Sequence, residues 1–165
     1  MKNITTREFI NVKERIDDLN LSHPSSLAFL PKNFEDAEDK QSLIYNSSVS
    51  TLRKIFNQER IDVSTIEDKD LKIPELQQNA FEWVGPIIFI SASYYSQNPD
   101  AVNIALGLIS SYLKDFFKGI PGNKKVKLSI VKEETKGKKY QRIDYEGDVS
   151  GLSELGDIIK STKNE

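Results

Sequence analysis

The feature that most constrains the fold is a change of hydrophobic period near Gly122. Upstream of it, apolar residues recur three and four positions apart, which predicts a core helix between Asn98 and Gly119. Downstream, apolar residues alternate with polar ones from Val126 to Ile130, which predicts a strand with one wet face. Because one chain contains both periods in separate segments, the predicted fold class is α+β. The helical apolar positions are Val102, Ala105, Leu106, Ile109, Leu113, Phe116 and Phe117.

The chain before residue 98 is predicted to be mostly helical. Each predicted helix begins with residue types that favour a first turn. The last of them is expected to kink at Pro86 and to continue through 87–90, because the serines and tyrosines that follow keep helical spacing. The short apolar run 27–31 is predicted to be a strand or an anchored loop. The predicted helix starts are Thr5 or Thr6, Ser50, Ser64 and Pro74.

The chain after Gly122 is predicted to end as a β-hairpin and a helix. The chain reverses at a turn around Gly137 and forms a second strand over 140–145. A closing helix then begins at Asp148 or Ser150. We therefore expect a single domain, 1–165, in which N-terminal and central helices pack on a small antiparallel sheet and 160–165 is a frayed tail. The apolar face of the closing helix is Leu152, Leu155, Ile158 and Ile159.

Residue types needed for several kinds of chemistry are missing from the chain. It has no cysteine and one histidine, His23, which rules out disulfides, thiolate nucleophiles and two-histidine metal sites. Neither a phosphate-binding glycine loop nor a catalytic constellation is present. We therefore predict a protein that is not an enzyme and has no catalytic residue, metal site or cofactor. A start without an apolar signal region predicts a cytoplasmic location.

Two alternatives to that interpretation remain open. Asp62 with Glu67 and Lys69 has the letter pattern of a metal-dependent nuclease, although such common residue types also serve as solvated surface charges. The apolar stretches within 84–117 could form a membrane-inserted hairpin, but each is shorter than the roughly 20 residues that a spanning helix needs. Buried core elements are the preferred interpretation of both stretches, and membrane binding is not expected.

Positive charge is concentrated in the predicted hairpin. Between Lys124 and Arg142 the chain has eight basic and two acidic residues, a charge of +6, which leaves −8 for the rest of a chain whose net charge is −2. Basic hairpins bind phosphate backbones, and Tyr140 and Tyr145 could offer stacking faces. Lysines on a wet sheet face also discourage aggregation through sheet edges. The candidate residues for an anionic partner are Lys124, Lys125, Lys127, Lys136, Lys138, Lys139, Tyr140 and Arg142.

The layout of the C-terminal half resembles a known family. An apolar pair of segments over 84–117, the lysine-rich hairpin VKLSIVKEETKGKKYQRIDYEG and the closing GLSELGDIIK are similar to the effector-associated constant component family of bacterial conflict and anti-phage systems. The resemblance covers roughly 84–160 and includes no catalytic motif. It implies an accessory protein that acts beside an effector encoded nearby.

Taken together, these features favour a non-enzymatic adaptor that binds a partner protein, in a bacterial defence or conflict system. The first alternative is a nucleic-acid-binding module that uses the basic hairpin 124–142, and the second is the nuclease. Self-association is also expected. Either the basic hairpin of one copy binds the acidic remainder of another, or two copies meet on the exposed side of the helix after Asn98. Tyr94, Tyr95 and Tyr112 are the tyrosines expected at that second surface.

Overall fold

A computed structural model describes residues 2–77, 82–122 and 124–161 of the chain. Its centre is one six-stranded sheet with the strand order β1-β6-β5-β4-β2-β3. The strands are β1 (Asn3–Glu8), β2 (Leu27–Leu30), β3 (Val63–Ser64), β4 (Glu82–Ile90), β5 (Lys125–Thr135) and β6 (Lys139–Gly147). The helices are α1 (Val12–Asp18), α2 (Val49–Gln58), α3 (Ala92–Gln97), α4 (Ala101–Phe116) and α5 (Ser153–Ser161). Short 3₁₀ turns cover Lys40–Ser42 and Val149–Leu152.

The α+β class is confirmed, but the sheet is mixed where a small antiparallel sheet was predicted. β4 runs parallel to β5, and β2 runs parallel to β3. The other neighbours, β1 with β6, β2 with β4 and β5 with β6, are antiparallel. The parallel pair arises because α3 and α4 connect β4 to β5 as a crossover, which returns the chain in the same direction.

Helices cover one sheet face, and α1 with neighbouring loops covers part of the other. On the first face, Phe29 of β2 stacks on Phe56 of α2 at a centroid distance of 5.8 Å. The Trp83 ring of β4 lies 6.4 Å from that of Tyr112 in α4. Lys132 of β5 donates to the Ile159 carbonyl of α5 at 3.1 Å. Both faces are therefore buried along β4, whose residues from Gly85 to Ile90 are all buried.

Double-sided burial explains why the helix predicted through 87–90 is wrong. A strand that is covered on both faces has a continuous apolar sequence, which hydrophobic period alone cannot distinguish from a buried helix. Pro86 fits this strand because the register with β5 shifts between Val84 and Ile87, at an irregularity where a missing backbone donor is tolerated. The predicted start at Pro74 is not helical, and the following positions 78–81 lie outside the described residues.

Two other predicted helix starts are also wrong. Thr5 and Thr6 lie in β1, where they pair with Asp144 and Ile143 of β6. The first helix begins instead at Val12, because the Asn11 side chain accepts a hydrogen bond from the Glu14 backbone at 3.0 Å. Ser64 ends the two-residue strand β3, and its hydroxyl lies 2.7 Å from that of Ser26.

The remaining elements match their predictions, with shifted ends. The apolar run 27–31 contains β2, and Ser50 lies in α2, which begins one residue earlier at Val49. The core helix begins at Ala101 rather than Asn98 and ends at Phe116. The closing helix begins at Ser153, after a 3₁₀ turn that Asp148 caps through the Gly151 backbone at 3.1 Å. Of the predicted frayed tail, 160–161 end α5 and 162–165 lie outside the described residues.

The segment proposed for a membrane hairpin, 84–117, is a buried strand followed by two helices. In the described part of the chain, no helix is both long enough and apolar enough to span a bilayer.

Candidate binding site at the tip of the hairpin

The lysines at the base of the β5–β6 hairpin are engaged with carboxylates or backbone. Lys125 Nζ lies 2.9 Å from Glu146 Oε2, and Lys127 Nζ lies 3.5 Å from Glu82 Oε2. The hydrogen bond between Lys125 and Glu146 raises the pKa of the lysine and lowers the pKa of the glutamate. Lys124 donates to the Gly122 carbonyl at 2.7 Å. Much of the positive charge at this end is therefore balanced within the hairpin and by β4.

Arg142, in the middle of β6, has a structural environment. Its Nε donates to Asp144 Oδ1 at 2.8 Å, and its guanidinium lies 5.7 Å from the Phe9 ring centre. A second carboxylate, that of Glu35, lies 3.8 Å away. Through these contacts Arg142 holds the end of β1, β6 and the loop after β2 together. Because only 18% of its side chain is exposed, it offers little charge to a partner.

Lys127 and Arg142 line a concavity of about 350 Å³ on the sheet face opposite α2 and α4. We call this concavity the base cavity. Its polar lining mixes these basic residues with Asp144, Glu146 and Ser129, and Arg142 is paired with Asp144 there. Lys32, from the loop after β2, also lines it.

Glu133 organises the other end of the hairpin. Its carboxylate accepts hydrogen bonds from the Tyr140 hydroxyl at 2.8 Å, the Gly137 backbone at 3.0 Å and the Ala92 backbone at 2.9 Å. Gly137 has φ of +70°, a left-handed conformation that favours glycine in the turn. The turn, the return strand and the start of α3 are therefore fixed to one partly buried carboxylate.

The two tyrosines predicted as stacking faces are not available for stacking. Tyr140 is 3% exposed and Tyr145 is 1% exposed. Burial, then the hydrogen bond to Glu133 and the negative charge of that residue, raise the pKa of Tyr140. Burial likewise raises the pKa of Tyr145 to about 12, and its hydroxyl donates to the Asp148 carbonyl at 2.6 Å. The two side chains point to opposite faces of the sheet, and each face is covered at that point.

The lysines of the tip differ from those of the base. Lys136 and Lys138 are exposed, and no carboxylate of the described residues lies within ion-pair distance of either. Lys139 is weakly paired, with its Nζ 3.8 Å from Glu134 Oε1. The turn residues have no directly opposite strand neighbour, so the pairing that neutralises the base does not extend to them.

Helix α1 adds a lysine that the sequence did not indicate. The Asn11 side chain donates to the Gly137 carbonyl at 3.1 Å, which fixes the start of α1 against the hairpin turn. Lys13, two residues later, then extends over Gly137, with its Cδ only 3.3 Å from where a Cβ on that glycine would lie. No signal in the sequence connects Lys13 with Lys136, because only the tertiary fold makes them neighbours.

These elements enclose a cavity of about 360 Å³, which we call the tip cavity. Its floor is apolar and comes from α1, β4 and β6: Val12, Ile16, Phe89 and Tyr140, all of them buried. Its mouth is polar and exposed: Lys13, His23, Ser25, Ser93 and Lys136. His23 lies with its Nε2 2.7 Å from Asp17 Oδ1. Glu133 also lines the cavity, but its carboxylate is engaged by Tyr140, Gly137 and Ala92. The site therefore combines an apolar interior with an opening at which two exposed lysines favour negative charge.

The acidic residues of the nuclease alternative do not form a metal cluster. Both carboxylate oxygens of Glu67 lie 3.2 Å from the Arg53 guanidinium, and one also accepts from the Tyr45 hydroxyl at 2.8 Å. Within the described residues, no group of three or more histidines and acids is placed to hold a metal ion. Comparisons with protein-family models, curated proteins and solved structures find no match for the chain. The family resemblance therefore remains a prediction.

Proposed function

We propose that the protein is a non-enzymatic adaptor that binds an acidic segment of a partner protein at the tip cavity. The observation that carries this proposal is the placement of two lysines, Lys13 and Lys136, over an opening whose floor is apolar. The volume, about 360 Å³, is at the lower end of ligand pockets and suits an apolar side chain with a neighbouring carboxylate. The resemblance noted above extends the proposal to an effector encoded nearby as the partner.

The arrangement of charge favours a protein segment over nucleic acid. Phosphate backbones are bound by several available cations along one track. Here Lys125, Lys127 and Arg142 are paired with carboxylates, and Lys124 lies at the far end of an 11-residue strand. At about 3.3 Å per residue that strand separates Lys124 from the tip by roughly 35 Å. Because both hairpin tyrosines are buried, the base-stacking surface that single strands require is also missing from the hairpin.

The proposal is tested by fluorescence anisotropy with a labelled peptide of alternating Glu and Leu. We expect saturable binding that is weakened at least about tenfold by Lys13→Glu with Lys136→Glu. The matched control is Lys124→Glu with Lys125→Glu, which changes the net charge equally at the base and should change the affinity by less than about twofold.

Two results would count against the proposal. One is absence of binding by the acidic peptide, or equal binding of a peptide of alternating Lys and Leu. The other is tight, steeply salt-dependent binding of a single-stranded DNA oligonucleotide that both double variants weaken alike, which would favour the nucleic-acid alternative.

A further inference from the structure

The two edges of the sheet differ in how they are protected. The β3 edge is two residues long, and a very short edge strand offers little backbone for pairing. The β1 edge is six residues long, lacks proline, and pairs with β6 in continuous register from Asn3 to Glu8. Except for the partly buried Ile4, the β1 side chains are exposed. This edge therefore lacks the short length, the proline and the bulge by which edges are commonly protected.

The backbone groups of β1 that face outward can be assigned from one hydrogen bond. The Phe9 backbone donates to the Tyr140 carbonyl at 3.0 Å, so residue 9 and alternate residues before it face β6. The N–H and C=O groups of Ile4 and Thr6 consequently face away from the sheet. β1 is the last strand in the order, so these groups form an open hydrogen-bonding edge in the described part of the chain.

We propose that two copies of the chain pair antiparallel through β1, with Thr5 opposite Thr5 of the second copy. A two-fold axis makes every pair reciprocal. In this register Ile4 and Thr6 exchange backbone hydrogen bonds with Thr6 and Ile4 of the second copy. The two six-stranded sheets then continue into each other across the interface.

Charge selects this register from its neighbours. It places Lys2 opposite Glu8 of the second copy, and symmetry forms that attractive pair twice. A register centred on Arg7 places two guanidinium groups opposite each other, and one centred on Thr6 places Glu8 opposite Ile4. Lys2 already forms an ion pair with Glu154 of α5, which keeps its side chain on the helix-covered face that Glu8 shares. The self-pairing surface is therefore β1, whereas the sequence indicated the hairpin or the tyrosines near α4.

The first test is the mass of the intact protein by light scattering over a range of concentrations. We expect twice the mass of one chain at high concentration. Thr6→Pro should return the mass of one chain with an unchanged circular dichroism spectrum, because the lost N–H faces outward and serves no bond within the chain. A wild-type mass of one chain at every concentration would overturn the proposal.

Charge variants test the register and do not depend on how proline is accommodated. Glu8→Lys places like charges opposite each other twice and should weaken dimerisation about tenfold or more. Adding Lys2→Glu to that variant restores both attractive pairs between the copies. Because the Lys2–Glu154 ion pair that it removes is exposed, the change should still recover most of the loss. Equal weakening in the single and double variants would show that the strands do not pair in this register. Binding of acidic peptide at the tip cavity is measured separately and is not required for either outcome.

Discussion

The tip and base cavities have almost the same volume, about 360 and 350 Å³, and differ in how their charged side chains are paired. At the base, lysines lie opposite or diagonal to glutamates on neighbouring strands, as Lys127 lies opposite Glu146 in the register. At the tip, Lys13 and Lys136 come from a helix and a turn, and the Glu133 carboxylate that also lines the cavity is held by Tyr140 and two backbone donors. The positive charge of the hairpin is thus balanced by carboxylates where its strands pair with neighbours, and it stays available at the turn where the strands end.

This difference separates two roles for residues of one type. Cross-strand ion pairs on a wet face contribute modestly to stability and keep the face soluble. Lysines beside an apolar cavity that lack such partners remain available for a ligand of opposite charge. The basic hairpin is therefore better understood as two surfaces than as one.

The largest effect is expected from Glu133→Ala, which removes the anion that fixes the tip. The Tyr140 hydroxyl and two backbone donors would lose their acceptor in a partly buried place. We expect a loss of about 2–4 kcal/mol in the free energy of unfolding, measured by urea denaturation. The matched change at the base is Glu146→Ala, which removes an exposed carboxylate from the same hairpin and should leave the urea midpoint unchanged. Equal losses in both variants would mean that the tip is no more organised than the base.

An intermediate effect is expected in the titration of the hairpin tyrosines. Tyr145 has a pKa of about 12 in the folded chain against an ordinary value of 10.0, so it stays protonated over a range in which the unfolded chain loses this proton. The stability that it contributes is complete below pH 10 and is lost as the pH rises through about 12. Unfolding free energies measured across this range should therefore fall with increasing pH.

Glu133→Gln distinguishes the two tyrosines. Because the charge of Glu133 raises the pKa of Tyr140 in addition to burial, removing this charge should lower the pKa of Tyr140. The pKa of Tyr145, at the other end of β6, should stay at about 12. Absorbance at the tyrosinate band resolves the two when each is compared with its own phenylalanine variant. An equal shift of both pKa values would contradict the separate environments of the two tyrosines.

A small effect, like that of Glu146→Ala, is expected from Lys127→Ala at the base. Lys127 and Glu82 are 43% and 37% exposed, and water and salt screen a pair of this kind. We expect a change below about 0.5 kcal/mol in the free energy of unfolding, and a smaller one at high salt. A loss comparable to that of Glu133→Ala would show that the base pairs stabilise the hairpin as strongly as the tip network does.

Local sequence determined several elements. The 3.6-residue period of α4, the two-residue period at the start of β5 and the apolar face of α5 each follow from a pattern within one segment. The turn at Gly137 also follows locally, since few residues other than glycine adopt its φ of +70°. These features predicted the α+β class, the core helix, the hairpin and the closing helix.

Other features were decided by contacts between distant segments. β4 is a strand because neighbouring strands and layers on both faces bury it, and β1 is a strand because β6 pairs with it. The same is true of charge: Lys125 is neutralised by Glu146, and Lys13 joins Lys136, only after the chain has folded. Hydrophobic period and residue type act over a few positions, whereas burial, strand register and the meeting of charges depend on the whole packed chain.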